Sequence, residues 1–289
     1  MIPASYIQEW STKAPWPTSQ QVEQDLIISR ALCDLFNAPA LAGKIAFRGG
    51  TAIHKLLFKQ PLRYSEDIDL VQPQAEQIGA TASAIREALS WLGDCKREQA
   101  GHSMHFVFRF APDAQPDTTL KVKVEINTRE HDSVLGIQKY PFAVKNGWYQ
   151  ATASIASFAP EELFATKLRA LLQRRKNRDL FDIHMGLQQL SMNPDMLLAC
   201  FDHYLALNGK PITRANAEQR MLEKLTHSLT EDIGPLLPPG IKFHEHDAVA
   251  AFESIWTILI TRIKGDSWKQ TDRAIEELRK KKYPTLLRR

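Results

Sequence analysis

The stretch over residues 45–71, IAFRGGTAIHKLLFKQPLRYSEDIDLV, constrains the fold more than any other part of the chain. A short apolar strand over 45–47 runs into Gly49-Gly50-Thr51, and a helical segment over 52–58 follows. The chain then turns at Pro61 into a second strand carrying Asp67-Ile68-Asp69. Paired glycines let the backbone approach a ligand closely and turn N–H groups towards an anion at a helix start. Side chains alternate along a strand, so Asp67 and Asp69 share one face while Ile68 and Leu70 take the other. Two carboxylates side by side repel unless a cation lies between them, and oxygen ligands of this kind suit Mg²⁺. A phosphate-cradling turn beside such a site is the equipment of phosphoryl or nucleotidyl transfer.

The flanking pattern gives the class. Pro3, Pro15 and Pro17 make residues 1–18 an irregular arm, and Ser19 is placed to cap a helix over 20–36. A second helix is expected over 75–92, with Ile78, Ala82, Ile85 and Leu89 on one face. Strands are expected at 105–110 and at 120–127, where Leu120, Val122, Val124 and Ile126 alternate with Lys121, Lys123, Glu125 and Asn127. Residues 128–158 read as loops and short strands. From Pro160 onward the periodicity is helical, with helices over 195–207, 215–229, 246–263 and 271–282, and a turn between helices at 235–240. The class is α+β: a mixed sheet flanked by helices over 1–155, then a mainly helical domain over 156–289.

Hydrophobic content of 44% and charged content of 24% fit a water-soluble globular chain, and no apolar run approaches the ~18 residues of a membrane span. The start, MIPASYIQEW, lacks a secretory pattern, and Cys33, Cys95 and Cys200 form no C-x-x-C. Three buried thiols in a reducing cytoplasm, and no membrane partner, are the expectation. A net charge of +4 permits nucleic-acid contact without demanding it. Basic runs at Arg174-Arg175-Lys176-Asn177-Arg178 and at Arg279-Lys280-Lys281-Lys282 with Arg288-Arg289 read equally as solvated helix ends or RNA contacts.

A second informative block opens with Pro160-Glu161-Glu162, a conventional helix start. Lys167 falls within the apolar arc of Leu163, Phe164, Leu168 and Leu171, a costly place unless its ammonium emerges at an edge or meets an anion. Asp179 and Asp182 lie one helical turn apart; Asp179 can cap a helix over 180–190, and Asp182 can pair with Arg178 at i,i+4. His244-Glu245-His246-Asp247 is a helix start rather than a metal cluster, because adjacent positions do not converge on one ion. Trp256, with Phe252, Leu259 and Ile260, is core.

The string Gly49-Gly50-Thr51 then Ser65-Glu66-Asp67-Ile68-Asp69 looks like a nucleotidyltransferase signature. With Arg48 before the glycines, Arg63 before Ser65, and the block Pro160-Glu161-Glu162-Leu163, Ala165-Thr166-Lys167-Leu168 and Arg178-Asp179-Leu180-Phe181-Asp182, the chain resembles the AbiEii/AbiGii toxin family over roughly its first two thirds. The resemblance implies a nucleotidyltransferase-fold sheet and a Mg²⁺-dependent (or Mn²⁺-dependent) enzyme. Asp67, Asp69 and Glu125 would be its metal ligands. Arg48, Gly49, Gly50, Thr51, Arg63, Ser65 and Lys167 would bind the nucleotide, and Asp67, Asp69, Lys167 and Asp179 would be catalytic, with Asp182 as a helper. Glu125 alternatively pairs with Lys121 or Lys123. The family implies an NTP substrate, a tRNA 3′ end or other RNA as acceptor, and a separately encoded antitoxin in a toxin–antitoxin or phage-defence setting. A protein or small-molecule acceptor, or a GTP- or ATP-binding module without turnover, are the alternatives.

Overall fold

The structure, a computed structural model, describes residues 2–111, 119–207, 209 and 211–288; Arg289 of the last basic run lies outside them. The chain divides into two compact units: Met1–Ala159 with Leu236–Gly240, and Pro160–Pro235 with Ile241–Arg289. All but Pro235 of the proline-rich segment expected as a turn between helices thus belongs to the first unit, where the Leu236 carbonyl accepts a hydrogen bond from the Tyr64 N–H.

The first unit opens with α1 (Ala4–Trp10), which begins directly after Pro3 where an irregular arm was expected. Helix α2 (Ser19–Asn37) starts at its predicted cap, one residue earlier than expected, and Thr18 is the N-cap, in a reciprocal capping box with Gln21. Strand β1 (Ala46–Arg48) leads into the short helix α3 (Gly49–Ala52) and a π-helical turn at Ile53–Leu57. After it come β2 (Asp67–Val71), α4 (Ile78–Ala88), β3 (Cys95–Ala100), β4 (Ser103–Phe110) and β5 (Leu120–Asn127). Two further eight-residue strands, β6 (Gln138–Lys145) and β7 (Gln150–Ser157), occupy the stretch that reads from sequence as loops and short strands.

Among the described residues the strands form one mixed sheet in the order β3-β4-β5-β2-β1-β7-β6. Strand β2 runs antiparallel to β1 and parallel to β5, so it sits at the centre. The alternation seen in sequence decides the two faces. Ile68, Leu70, Val122, Val124, Ile126, Phe106 and Phe108 are buried and pack with Leu26, Ile28 and Leu32 of α2 and Ile85 of α4. Burial of each such side chain is worth roughly 1.5–3 kcal/mol, which pins the register and with it the opposite face. There Asp67 and Asp69 stand beside Lys123 and Glu125, the Cα register being Asp67 with Lys123 and Asp69 with Glu125.

A buried carboxylate ties the N-terminal segment to the turn after the glycines. Asp25 accepts from the Trp10 and Trp16 indoles at 2.9 and 3.1 Å and from Lys55 Nζ at 3.0 Å; Lys55 also donates to Ser29 Oγ at 2.9 Å.

The second unit contains α5 (Pro160–Gln173), α6 (Asn177–Gln189), α7 (Pro194–Leu207), α8 (Arg214–Lys224), α9 (Glu245–Ile258) and α10 (Thr271–Lys281). Gly186 of α6 lets the Phe164 ring of α5 approach to where a β-carbon would otherwise stand. Trp256 stacks on Phe252 in the core, and His244 caps α9 with Asp247. Cys33 and Cys200 are buried, and burial pushes both thiols up to about 11; Cys95, on β3, is half-buried rather than buried. Among the described residues no helix is long and apolar enough to cross a membrane.

Candidate nucleotidyl-transfer site

Gly49 begins the site. Its φ of +79° lies in the region that favours glycine, and a β-carbon there would collide with Asp69 Oδ2. The absence of a side chain therefore lets the Asp69 carboxylate rest directly against the backbone of the turn. Thr51, buried in the same turn, donates its hydroxyl proton to the Asp67 carbonyl and takes a hydrogen bond from Ser65 Oγ at 2.8 Å. This hydroxyl, which the family resemblance assigns to the nucleotide, fastens the start of β2 to the glycine turn.

The two arginines are placed differently from one another. Arg48 lies opposite Asp69 in the β1–β2 register, and its guanidinium donates to Glu130 Oε2 at 2.7 Å. Arg63 is buried, at 2% exposure, and donates to the Tyr64 carbonyl. Ser65, Asp67 and Asp69 are half-exposed.

Glu125 is one strand away from the aspartates, but its carboxylate meets Lys123 Nζ at 2.8 Å and His105 Nε2 at 3.2 Å. Burial pushes Glu125 up, yet hydrogen bonds from Lys123 and Ser103 more than offset this and hold it below the usual carboxylate range. Burial pulls Lys123 down, but Glu125, Asp67 and Asp69 outweigh it, so this lysine titrates higher than usual. The pairing with Lys123 is the alternative that the sequence left open. Lys123 and His105 are functional candidates that the sequence reading passed over; the signal was present, since Lys123 is the in-register neighbour of Asp67 once β2 and β5 pair in parallel.

The donor set suits a hard divalent cation: two carboxylates at i,i+2 on one strand face, all oxygen. Among the described residues no three His, Cys, Asp or Glu side chains are grouped so as to hold an ion as they stand, and Glu125 is turned towards Lys123 and His105.

In the second unit α5 and α6 form a separate charged cluster. Lys167 Nζ lies 3.1 Å from Asp179 Oδ1 and 2.9 Å from Asp182 Oδ2. Arg174 grips Asp179 with both edges of its fork, Nε to Oδ2 at 2.7 Å and Nη2 to Oδ1 at 2.9 Å. Both carboxylates are fully buried and Lys167 is 6% exposed. Burial pushes Asp179 up, but Lys167 and then Arg174 prevail and leave it below the ordinary range. Asp179 stands within the first turn of α6 rather than capping it, since Lys176 is the N-cap. The structure thus brings Lys167, Asp179 and Asp182 together, and brings Gly49, Thr51, Ser65, Asp67 and Asp69 together.

This geometry can be set against known proteins. The family described as nucleotidyl transferase AbiEii toxin, type IV toxin–antitoxin system, matches residues 30–257. The chain belongs to this family. It is therefore a nucleotidyltransferase of a toxin–antitoxin family. Solved structures agree on the fold. MenT4, a nucleotidyltransferase toxin from Mycobacterium tuberculosis H37Rv, superposes with a TM-score of 0.64 at 15% identity, covering 99% of this chain and 98% of its own. JHP933 from Helicobacter pylori gives 0.52 at 16% identity, over 91% and 98%. No curated protein sequence matched the chain.

Proposed function

We propose that this AbiEii-family enzyme transfers a nucleotide from an NTP to the 3′ end of tRNA in a Mg²⁺-dependent reaction, and that a separately encoded antitoxin counters it. The observation that carries this reading is the Asp69 carboxylate lodged against Gly49, with Asp67 on the same strand face. A glycine whose missing β-carbon leaves room for a carboxylate against the backbone suits a site where an anion and its counter-ion must meet.

Asp67 and Asp69 would hold the ion, with Glu125 as the third oxygen donor. The metal, when bound, supplies positive charge to the triphosphate and eases departure of pyrophosphate. The chain's own residues do the rest. N–H groups of the Gly49-Gly50 turn bind phosphate oxygens, and Arg48 and Arg63 add positive potential. Thr51 and Ser65 keep β2 in place, so the carboxylates need not reorganise as charge develops. Lys167, whose ammonium Asp179 and Asp182 hold, is the further catalytic and nucleotide-binding residue that membership of the family suggests. The acceptor hydroxyl loses its proton to a carboxylate as its oxygen bonds to the α-phosphorus, and the bond from that phosphorus to the bridging oxygen breaks.

An end-labelling assay tests this. Purified protein, Mg²⁺ and each labelled NTP in turn are incubated with total bacterial RNA and, separately, with total protein. The expected result is label in a tRNA-sized band that disappears with Asp69→Ala. Label in protein alone would replace the acceptor, and label in neither would overturn the transfer to tRNA.

A further inference from the structure

The second unit holds an open cavity of about 600 Å³ between the end of α5, the start of α6 and the C-terminal end of α8. Arg174, Arg175, Lys176, Arg220, Lys224 and His227 line it. Glu223, Glu231 and Asp232 also reach it, so permanent cations outnumber acids. The pairing within it is more telling than the count. Among the described residues Arg175, Lys176, Arg220 and Lys224 form no ion pair, although three carboxylates lie on the same lining.

Two of these cations are fixed by backbone carbonyls. Arg220 Nη1 donates to the Leu172 carbonyl and Lys224 Nζ to the Arg174 carbonyl, each at 2.7 Å, which closes off the last turn of α5. Each side chain keeps further N–H donors after that one bond. Lys224 is half-buried, and burial, with Arg175 and Arg174 adding to it, pulls its ammonium below the usual lysine range against Asp179 and Asp232. An anion delivered from outside relieves this arrangement.

We propose that this cavity binds the phosphodiester backbone of the acceptor RNA strand, an inference that rests on the RNA-acceptor reading above. Guanidinium forks and ammonium groups match phosphate oxygens. The same chemistry could come from the triphosphate of a free nucleotide. The lining favours a strand's backbone, since it has no Phe, Tyr or Trp on which the base of a free nucleotide could stack. The cavity also adjoins the charged cluster directly, because Arg174 both lines it and grips Asp179. An occupant there is felt at the carboxylate that holds Lys167.

The test is the affinity of unfractionated bacterial tRNA for the full chain, measured by filter binding across a salt series. The variants are Arg220→Gln and the double change Arg175→Gln with Lys176→Gln. All three residues are exposed, and thermal melting checks that the variants remain folded. The expected result is a loss of about tenfold in affinity at low salt, with the log–log salt slope shallower by about 0.7 per phosphate contact removed. Binding of free NTP should stay unchanged, and Arg220→Lys should recover most of the slope. Unchanged tRNA affinity and slope in folded variants, with the wild type binding tRNA, would overturn the cavity assignment and leave the acceptor reading intact. Weakened NTP binding with unchanged tRNA binding would make it a nucleotide site and also overturn it. A wild type with no salt-dependent tRNA affinity would remove both readings together.

Discussion

Two pairs of carboxylates, each expected from sequence to serve the chemistry, sit in opposite physical settings. Asp67 and Asp69 lie on one face of a central strand, half-exposed, with Asp69 admitted by a glycine that could not carry a side chain. Asp179 and Asp182 are fully buried on a helix and share the Lys167 ammonium, and Asp179 also takes the Arg174 guanidinium, so the group of four is balanced in formal charge. The first pair is displayed by the fold; the second is part of what holds its unit together. A carboxylate displayed on a rigid strand can be removed at little structural cost, whereas a buried balanced cluster punishes the loss of any member.

That contrast can be broken from either side. Lys167→Met should destabilise the chain by about 3–5 kcal/mol, because it strips a cation from two buried carboxylates; calorimetric or denaturant melting reads it, and a shift under 1 kcal/mol would show the cluster to be less coupled than its geometry implies. Asp69→Asn should lower nucleotidyl transfer on the order of 10²–10³-fold while leaving the melting curve nearly in place. If both variants lost stability equally, the distinction between the pairs would collapse. Gly49→Ala lies between them: forcing a side chain to positive φ costs about 1–3 kcal/mol, and the displaced Asp69 should take activity with it, as paired melting and labelling would reveal.

Acid pH sharpens the comparison further. Asp179 titrates below the ordinary carboxylate range, since Lys167 and Arg174 outweigh the effect of burial. A depressed carboxyl contributes stability that is complete above the unfolded value of about 4 and is lost as pH falls through the folded one. Asp179→Asn should therefore be less stable at neutral pH, and its stability should fall less steeply than the wild type's below about pH 4. The smallest effect belongs to Lys123→Met. The pair with Glu125 is a third exposed, so its loss should change stability by less than about 1 kcal/mol, read by the same melts.

The sequence showed the sheet's centre well and its edges poorly. Alternation in 120–127 was plain because one face of β5 is wholly apolar and the other wholly polar, and the D-x-D of β2 because its two acids flank an apolar residue. Strand β6 carries Pro141, which an interior strand would reject but the outermost position tolerates, and β7 reads QATASIAS, small residues with weak strand preference. Strand β3, at the other edge, is the charged run CKREQA, whose exposure hides it from a hydrophobic pattern and keeps the edge from pairing elsewhere. In the site, the residue types and the Gly49 turn were legible, while the partners were not. Whether Glu125 faces Lys123 or the aspartates, and whether Asp179 caps its helix or grips Lys167, depends on side-chain directions that periodicity does not carry.

The Asp25 carboxylate offers a consequence of another kind. It gathers two indole N–H groups and the ammonium of Lys55, which stands in the turn that follows the glycines. An event that shifts that turn bears on the hydrogen bonding of Trp10 and Trp16 as well. With nitrogen-15 in the tryptophans, these two indole resonances become a built-in reporter: if a nucleotide binds at the glycine turn as proposed, titrating NTP should shift them in solution, at equilibrium, before a single bond is made.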